Sequence, residues 1–388
     1  MLKPLYIKRL LISLFFIILS CPMIIFIYFP NQIDKHFLVK PQLPAFNLDD
    51  ILNGEYQSKV NEYLNKNLFI YQPLTFLKTN IDLMTGKFLT NDVYITSSSL
   101  IDAPKLPDLD SLKRTSNLIN EFMQKVKKPV YSLIIPTNAQ INSSKLPAYA
   151  LLDDETELIN NFNNSLDNRT VILDANTPLT SMKNITAYYN TDNRLTSFGA
   201  FLIYNYNMKQ LGASPASMQK FNIEHVADDF YGTLFDRTFY TGVNPDKIDF
   251  FHYNAYDITA NVVQTDSCNV SVFRNTLYDY SQLENIDKAN ALFGVNAPIK
   301  KMQTNAKREH NILIFADHNI DAFMQFFAIH YNNIAVVNLL ELDSCNFSVE
   351  ELTKSIDAGL YDKILFAYGI GTLANSEQFE HLKCFMNN

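Results

Sequence analysis

The sequence has no tryptophan, and only ten glycines and four cysteines among its 388 residues. Scarce glycine beside abundant Asn, Lys and Ile reflects an AT-rich codon composition and says nothing of function. The cysteines, Cys21, Cys268, Cys345 and Cys384, form no CxxC pair and show no metal-type spacing, which excludes the common zinc-site patterns. No HExxH motif occurs and no two histidines stand four apart, so neither a metal nor another cofactor is expected. Of Cys268, Cys345 and Cys384 at most one pair could form, and the cysteines are read as unpaired. A basic excess is also lacking. Lys and Arg number 32 against 40 Asp and Glu, a net charge of -8. Nucleic-acid binding needs basic patches, so no nucleic-acid partner is expected.

What is present is a chain that is 47% apolar, long enough for a substantial buried core and for more than one minimal domain. Residues 10–29, LLISLFFIILSCPMIIFIYF, carry no charge. At helical rise this run spans a bilayer core of about 30 Å. Lys3, Lys8 and Arg9 precede it and no acidic residue occurs before Asp34, which predicts residues 1–9 inside the cell and the rest outside. A cleaved signal peptide would have a shorter apolar region and a small-x-small site, which does not follow Phe29. An uncleaved single-pass anchor is therefore expected, with Pro22 tolerated as a kink. Without its three leading cations the exported part is more acidic still.

Residues 30–48 hold three prolines and read as a linker. Residues 49–100 read as a small helical segment, with two amphipathic helices divided near Tyr71-Gln72-Pro73 and a short strand at Val93–Thr96. Over residues 101–388 an α/β rhythm follows. Helix patterns cover 109–126, 155–166, 201–212, 323–331 and VEELTKSIDAGL, while near-continuous apolar runs (VYSLIIP, TVILD, HNILIFAD, NIAVVNLL, YDKILFAYG) read as buried strands. Residues 221–300 are less regular, with shorter strand-like pieces and many aromatics. Alternating strands and helices predict a mainly parallel sheet covered on both faces.

Ligands of such sheets bind beyond the carboxyl ends of the strands. Three places qualify: Asp192-Asn193-Arg194 before a helix, Asp317-His318-Asn319 after ILIFA, and Tyr368-Gly369-Ile370-Gly371-Thr372 after the last strand. Several plain readings apply here. Asp192 and Arg194 suit an ion pair bracing the turn, and Thr196 suits a helix N-cap. Asp317 suits a cap, and His318 an ordinary pocket or surface residue. Arg194 beside a helix N-terminus also suits an anion such as a carboxylate or a sugar acid.

The chain resembles the DHHW proteins of Gram-positive bacteria, relatives of the SGNH hydrolase-like alginate O-acetyltransferases. The similarity runs through LNGEYQSKVNEYLNKNLFIYQPLTFLKTNIDLMTGK, YSLIIPTNAQINSSKLP, DFYGTLFDRTFYTGVNPDKIDFF, FFAIHYNNIAVVNL and YDKILFAYGIGTL, in order. It implies an SGNH-like α/β/α sandwich. The family's Thr-Asp-His-His-Trp-Thr motif stands here as Thr191-Asp192-Asn193-Arg194-Leu195-Thr196. Asp-x-His orients and activates a serine in the related acetyltransferases, and that serine follows a strand-end Asp. By the resemblance Asp192 keeps the orienting carboxylate, Arg194 takes the base position and His318, after Asp317, takes the nucleophile position. Gly369 stands where the family has Asn. A guanidinium stays protonated and accepts no proton. His318 offers no hydroxyl, so both reacting groups of the usual dyad are missing.

The resemblance thus implies a catalytically degenerate relative of cell-envelope polysaccharide O-acetyltransferases or esterases that binds a glycan or an envelope protein partner. Asp317, Thr196 and Gly369 are its possible ligand-binding residues. Two alternatives stay open: an active acyl-transfer or ester-hydrolysing enzyme with a rearranged site using His318, and a purely structural envelope protein in which Asp192, Arg194 and His318 lie far apart or are occluded by aromatics, with no pocket.

Overall fold

The computed structural model describes residues 71–386, apart from 106, 127, 151–154, 182–185, 267–268, 308–309, 343–346 and 358, together with Lys8, Arg9, Ile12, Ser13, Phe16 and Tyr56. The expected anchor at 10–29, the linker at 30–48 and the first helix of the 49–100 segment lie, those few residues aside, outside the described part. Among the described residues no helix is long and apolar enough to cross a membrane.

The chain forms two compact units. The first comprises 1–87 with 237–240, the second 88–236 with 241–388. The described helix of the first unit is α1 (Tyr71–Met84). Its buried Thr79 hydroxyl donates to the Thr238 carbonyl at 2.8 Å. The second unit begins with a small antiparallel sheet of β1 (Leu89–Thr90), β2 (Val93–Ile95) and β3 (Leu100–Asp102). The boundary read from the sequence at residue 101 falls inside β3.

The body of the second unit is an α/β layer structure. Helix α2 (Leu109–Lys125) starts at Asp108, whose carboxylate accepts the Asp110 and Ser111 amides. Its buried face, Leu112, Thr115, Leu118, Ile119, Phe122 and Met123, has the three- and four-residue spacing of an amphipathic helix. Strand β4 (Val130–Ile135), helix α3 (Glu155–Ser165), strand β5 (Val171–Leu173) and helix α4 (Ser197–Asn207) come next. The hairpin of β6 (Phe221–Phe230) and β7 (Asp246–Tyr253) follows, then β8 (Ala260–Thr265), β9 (Ser271–Arg274), β10 (Ile299–Thr304), β11 (Asn311–Ala316), β12 (Asn333–Val337), helix α5 (Phe347–Asp357) and β13 (Lys363–Gly369).

The main sheet has the order β5-β4-β13-β11-β12-β10-β8-β9. Its first five strands pair in parallel, while β10, β8 and β9 extend it antiparallel. The sheet is therefore mixed, with the expected parallel pairing in its first five strands. The antiparallel part arises from the 221–300 region: β8 and β9 form a hairpin, and β10 runs antiparallel between β8 and β12.

Side chains alternate cleanly across the parallel core. Ile312, Ile314 and Ala316 of β11 face one apolar layer with Tyr131, Leu133, Leu365 and Ala367. Leu313 and Phe315 face the other with Val130, Ile134, Ile364 and Phe366. Helices α2, α3 and α5 cover the second layer, while α4 and the β6–β7 hairpin cover the first. Burial on both faces is why β4, β11, β12 and β13 read as unbroken apolar runs. By contrast β5, expected to be buried, is an edge strand with Val171 and Ile172 more than a third exposed. Cys384 is disulfide-bonded, which corrects the reading of unpaired cysteines. Cys21, Cys268 and Cys345 all lie outside the described residues.

Candidate functional site

The parallel strands end together. Gly369 of β13 pairs with Ile135 of β4, Ala316 of β11 with Ala367, and Phe315 with Val337 of β12. Antiparallel β10 starts at the same edge, Ile299 against Val337. Asp317 and His318 follow β11 at this edge, and Gly369 ends β13 there.

The loop before α4 is closed by an antiparallel bridge between Tyr188 and Leu195. The Tyr189 amide donates to the Arg194 carbonyl at 3.2 Å and the Thr196 amide to that of Ala187 at 2.9 Å. Thr196 is the N-cap of α4, its hydroxyl accepting the Gly199 amide at 3.0 Å, so its side chain is committed to the helix. A Cβ at position 199 would lie 2.2 Å from the Ala187 carbonyl oxygen, so the helix can start this close to the loop only with glycine there.

Asp192 is fully buried. Its carboxylate accepts the Arg194 Nε–H at 2.8 Å, an Arg194 Nη2–H at 3.0 Å, the Arg194 amide at 3.0 Å and the Thr233 amide at 2.9 Å. The far edge of the guanidinium is gripped by a second carboxylate. Asp287 accepts from Nη2 at 2.7 Å and from Nη1 at 3.1 Å. Nε, both Nη2 hydrogens and one Nη1 hydrogen are thus committed, leaving the second Nη1 hydrogen of the five donors. The group also lies over the Phe230 ring at 5.8 Å. Burial alone would raise the Asp192 carboxyl, but the guanidinium and its hydrogen bonds outweigh it and hold the group below the ordinary carboxylate value. Burial likewise works against charge on Arg194, yet the two carboxylates push it well above the ordinary arginine value. Arg194 remains a cation at any ordinary pH.

The loop is braced from below by residues that sequence reasoning gave no role. Buried Asp246 accepts the Asn190 amide at 2.7 Å, Asn190 Nδ2 at 3.1 Å, the Thr191 amide at 2.8 Å and the Thr191 hydroxyl at 2.7 Å. That hydroxyl in turn accepts the Gly232 amide at 3.0 Å. A Cβ at position 232 would stand 2.3 Å from Asp192 Cβ and Oδ2. Gly232→Ala is therefore expected to cost about 1–3 kcal/mol by forcing the buried carboxylate aside. A denaturant midpoint within error of the parent would refute that. The Phe-Tyr-Gly-Thr-Leu and Pro-Asp blocks are thus the supports of this loop.

The turn after β11 has the same construction. Asp317 caps the 3-10 turn His318–Phe323. Oδ1 accepts the Asn319 amide at 3.0 Å and Asn319 Nδ2 at 3.1 Å, while Oδ2 accepts the Gly369 amide and the Thr372 hydroxyl, both at 2.9 Å. Gly369 contributes its backbone only, at an ordinary φ of -67°. His318 is half-buried, and among the described residues no hydrogen-bond partner falls to it. The two loops meet where the Leu195 amide donates to Asn319 Oδ1 at 3.4 Å. Gln325 Nε2 also donates to Ser197 Oγ at 2.9 Å. The residues following Arg194 and His318 are therefore in direct contact, while Asp192 is fully buried and the Arg194 guanidinium lies over the Phe230 ring.

A second buried cation, also unforeseen, stands at this edge. Lys300 at the start of β10 pairs with Asp321 of the same 3-10 turn at 3.0 Å and lies over Phe293 at 5.1 Å. Burial lowers its ammonium below the ordinary value, and Asp321 opposes that shift. Among the described residues no group of three or more His, Cys, Asp or Glu could hold a metal ion. The site thus offers locked carboxylates, cations and one unengaged imidazole. Its hydroxyls include those of Thr372 and Thr191, which donate to Asp317 and Asp246, and no serine stands next to Asp317.

No protein-family model and no curated protein matches the sequence. Solved structures do. A DHHW family protein from Eubacterium siraeum is similar at 20% identity with a TM-score of 0.58, covering 75% of this chain and 97% of that one. PatB1 from Bacillus cereus is similar at 17% identity with a TM-score of 0.59, covering 74% and 98%. A second PatB1 structure, with a sulfonyl adduct, gives a TM-score of 0.60 at 16% identity. The fold is therefore the α/β fold of the DHHW family protein and PatB1 structures, as the motifs implied.

Proposed function

We propose that the protein is a membrane-anchored, extracytoplasmic relative of cell-envelope O-acetyltransferases that has lost acyl transfer and binds a glycan or an envelope protein partner. The observation that carries this is the state of Arg194. The residue in the base position is a permanent cation held between two carboxylates, and it accepts no proton at any step. His318 follows Asp317, where the related enzymes carry serine. The disulfide at Cys384 supports an oxidising compartment outside the cytoplasm, and the uncharged run at 10–29 supports the anchor.

PatB1 carries a sulfonyl adduct in one of its structures; this chain has His318, not serine, next to Asp317. Purified protein is expected to hydrolyse p-nitrophenyl acetate no faster than buffer containing an equal concentration of free imidazole. Hydrolysis well above that, lost in both Asp192→Ala and His318→Ala, would replace this reading with that of a rearranged active site. The unengaged His318 imidazole is the feature such an enzyme would use.

A further inference from the structure

We propose that Arg194 is a receptor for a ligand carboxylate, and that Asp287 is an internal carboxylate competing for it. The proposal deepens the binding reading above and rests on it. A guanidinium presents two bidentate edges. Asp192 takes the Nε/Nη2 edge and is fully buried. Together they form a neutral pair that needs no further anion. Asp287 takes the outer Nη1/Nη2 edge, which leaves the three groups with one surplus negative charge. Its neighbour Lys288 does not neutralise that charge, being committed to Asp229 at 2.6 and 2.8 Å.

The second grip also differs from the first in accessibility. The Asp287 side chain is 41% exposed, against 16% for Arg194. It arrives on a segment between two 3-10 turns, Tyr280–Glu284 and Lys288–Leu292. Around Asp287 the backbone bonds are local: Asn285 N to Gln282 O, Lys288 N to Ile286 O and Asn290 N to Asp287 O. Two ion pairs, Asp287 with Arg194 and Lys288 with Asp229, tie the segment's charged side chains down. The outer edge of Arg194 is thus shaped for a carboxylate and filled by one that can turn out to solvent. An incoming carboxylate would find Nη1 and Nη2 already oriented by Asp192. Half-buried His318, on the neighbouring turn joined through Leu195 and Asn319, lies in the same part of the edge.

A tethered carboxylate acts at an effective concentration of millimolar or more, so a free one displaces it only when concentrated. Removing the tethered group should lower the required concentration at least about tenfold. The carboxylate could belong to a small organic acid or to an acidic sugar. The test is a titration of the full chain with sodium glucuronate, sodium acetate and glucose, following the side-chain 15N resonances of Arg194. In Asp287→Asn, glucuronate should shift those resonances at a concentration at least about tenfold lower than in the parent, and glucose should shift nothing. Equal action by acetate would identify the ligand as any accessible carboxylate, and action by glucuronate alone would identify an acidic sugar.

Lys288→Gln releases the segment without altering either partner and should lower the required concentration in the same direction by a smaller factor. It keeps the test intact if Asp287→Asn does not fold. The idea is overturned if neither variant shifts Arg194 with either carboxylate at a lower concentration than the parent. It falls separately from the binding-only reading. Ester hydrolysis lost in His318→Ala would remove that reading and leave the exchange standing, whereas an unresponsive Arg194 would remove the exchange and leave the absence of hydrolysis standing.

Discussion

Replacing Arg194 with methionine should destabilise the folded second unit by about 3–5 kcal/mol, the usual result of breaking a buried ion pair from one side. Methionine fills much of the same volume, so the loss isolates charge rather than packing. Asp192 is fully buried, and its partner supplies two of the hydrogen bonds to its carboxylate. Without the guanidinium an ionised carboxylate stays in a low-dielectric site with backbone amides alone. Asp287 is exposed enough to return to water at little cost.

The pH dependence identifies the cause. In the parent, Asp192 is held below its ordinary value. Its contribution is therefore present above the unfolded carboxyl value of about 4 and fades as pH falls through the lowered folded value. In the variant only the two backbone amides still oppose burial, and the folded value rises. The sign then reverses, and the variant loses stability as pH climbs from about 4 through that raised value. The gap between the two proteins, read from urea midpoints, should widen from pH 4 to pH 7. A gap independent of pH would mean that methionine disturbs packing and that the Asp192 charge is not the cause.

Much of this was legible because short-range rules sufficed. Strands β4, β11, β12 and β13 are buried on both faces, so sequence alone marks them as apolar runs, and Asp317 falls at the end of one. Thr196 caps α4 through an amide three residues on, and Arg194 reaches Asp192 across two. These are contacts that spacing can predict. The β6–β7 hairpin escaped because β6 does not alternate. Asn222, Glu224 and His225 are exposed, and the register shifts between His225, Ala227 and Phe230. Without a one-sided apolar pattern the ten-residue strand β6 reads as short pieces.

The partners of the site were invisible for a different reason. Asp287 meets Arg194 from 93 residues away, and Asp246 meets Thr191 from 55. No local pattern fixes which of many acidic residues arrives at a given loop. The family blocks did mark Gly232, Thr233 and Asp246 as a group, without showing that their task is to hold the Asp192 loop from beneath. The pairing of Cys384 was similarly out of reach, since spacing alone does not decide which thiols meet.

Asp246 provides the second large effect, and its pH signature runs the other way. Asp246→Ala removes the acceptor of the Asn190 and Thr191 amides, the Thr191 hydroxyl and Asn190 Nδ2. Each buried donor left without a partner costs roughly 1–3 kcal/mol. Thr191 is fully buried, while Asn190 is only half-buried and can turn its amide to solvent. The expected loss is therefore about 4 kcal/mol rather than the sum of all four terms. Burial raises the Asp246 carboxyl above its ordinary value, its hydrogen bonds offset the lost hydration only in part, and the Asp192 charge adds a smaller push in the same direction. Ionising it is unfavourable in the folded state, so the parent gives up some stability as pH rises from about 4 through the raised value, and the alanine variant does not. The gap between parent and Asp246→Ala should narrow with rising pH where that for Arg194→Met widens. Measuring both variants across the same range separates two roles on one loop: Asp192 must be ionised to hold its cation, and Asp246 serves as a hydrogen-bond acceptor whose charge is a liability. Gaps that moved together with pH would mean that the two carboxylates titrate as one coupled cluster, and the division of labour assigned to them would fail.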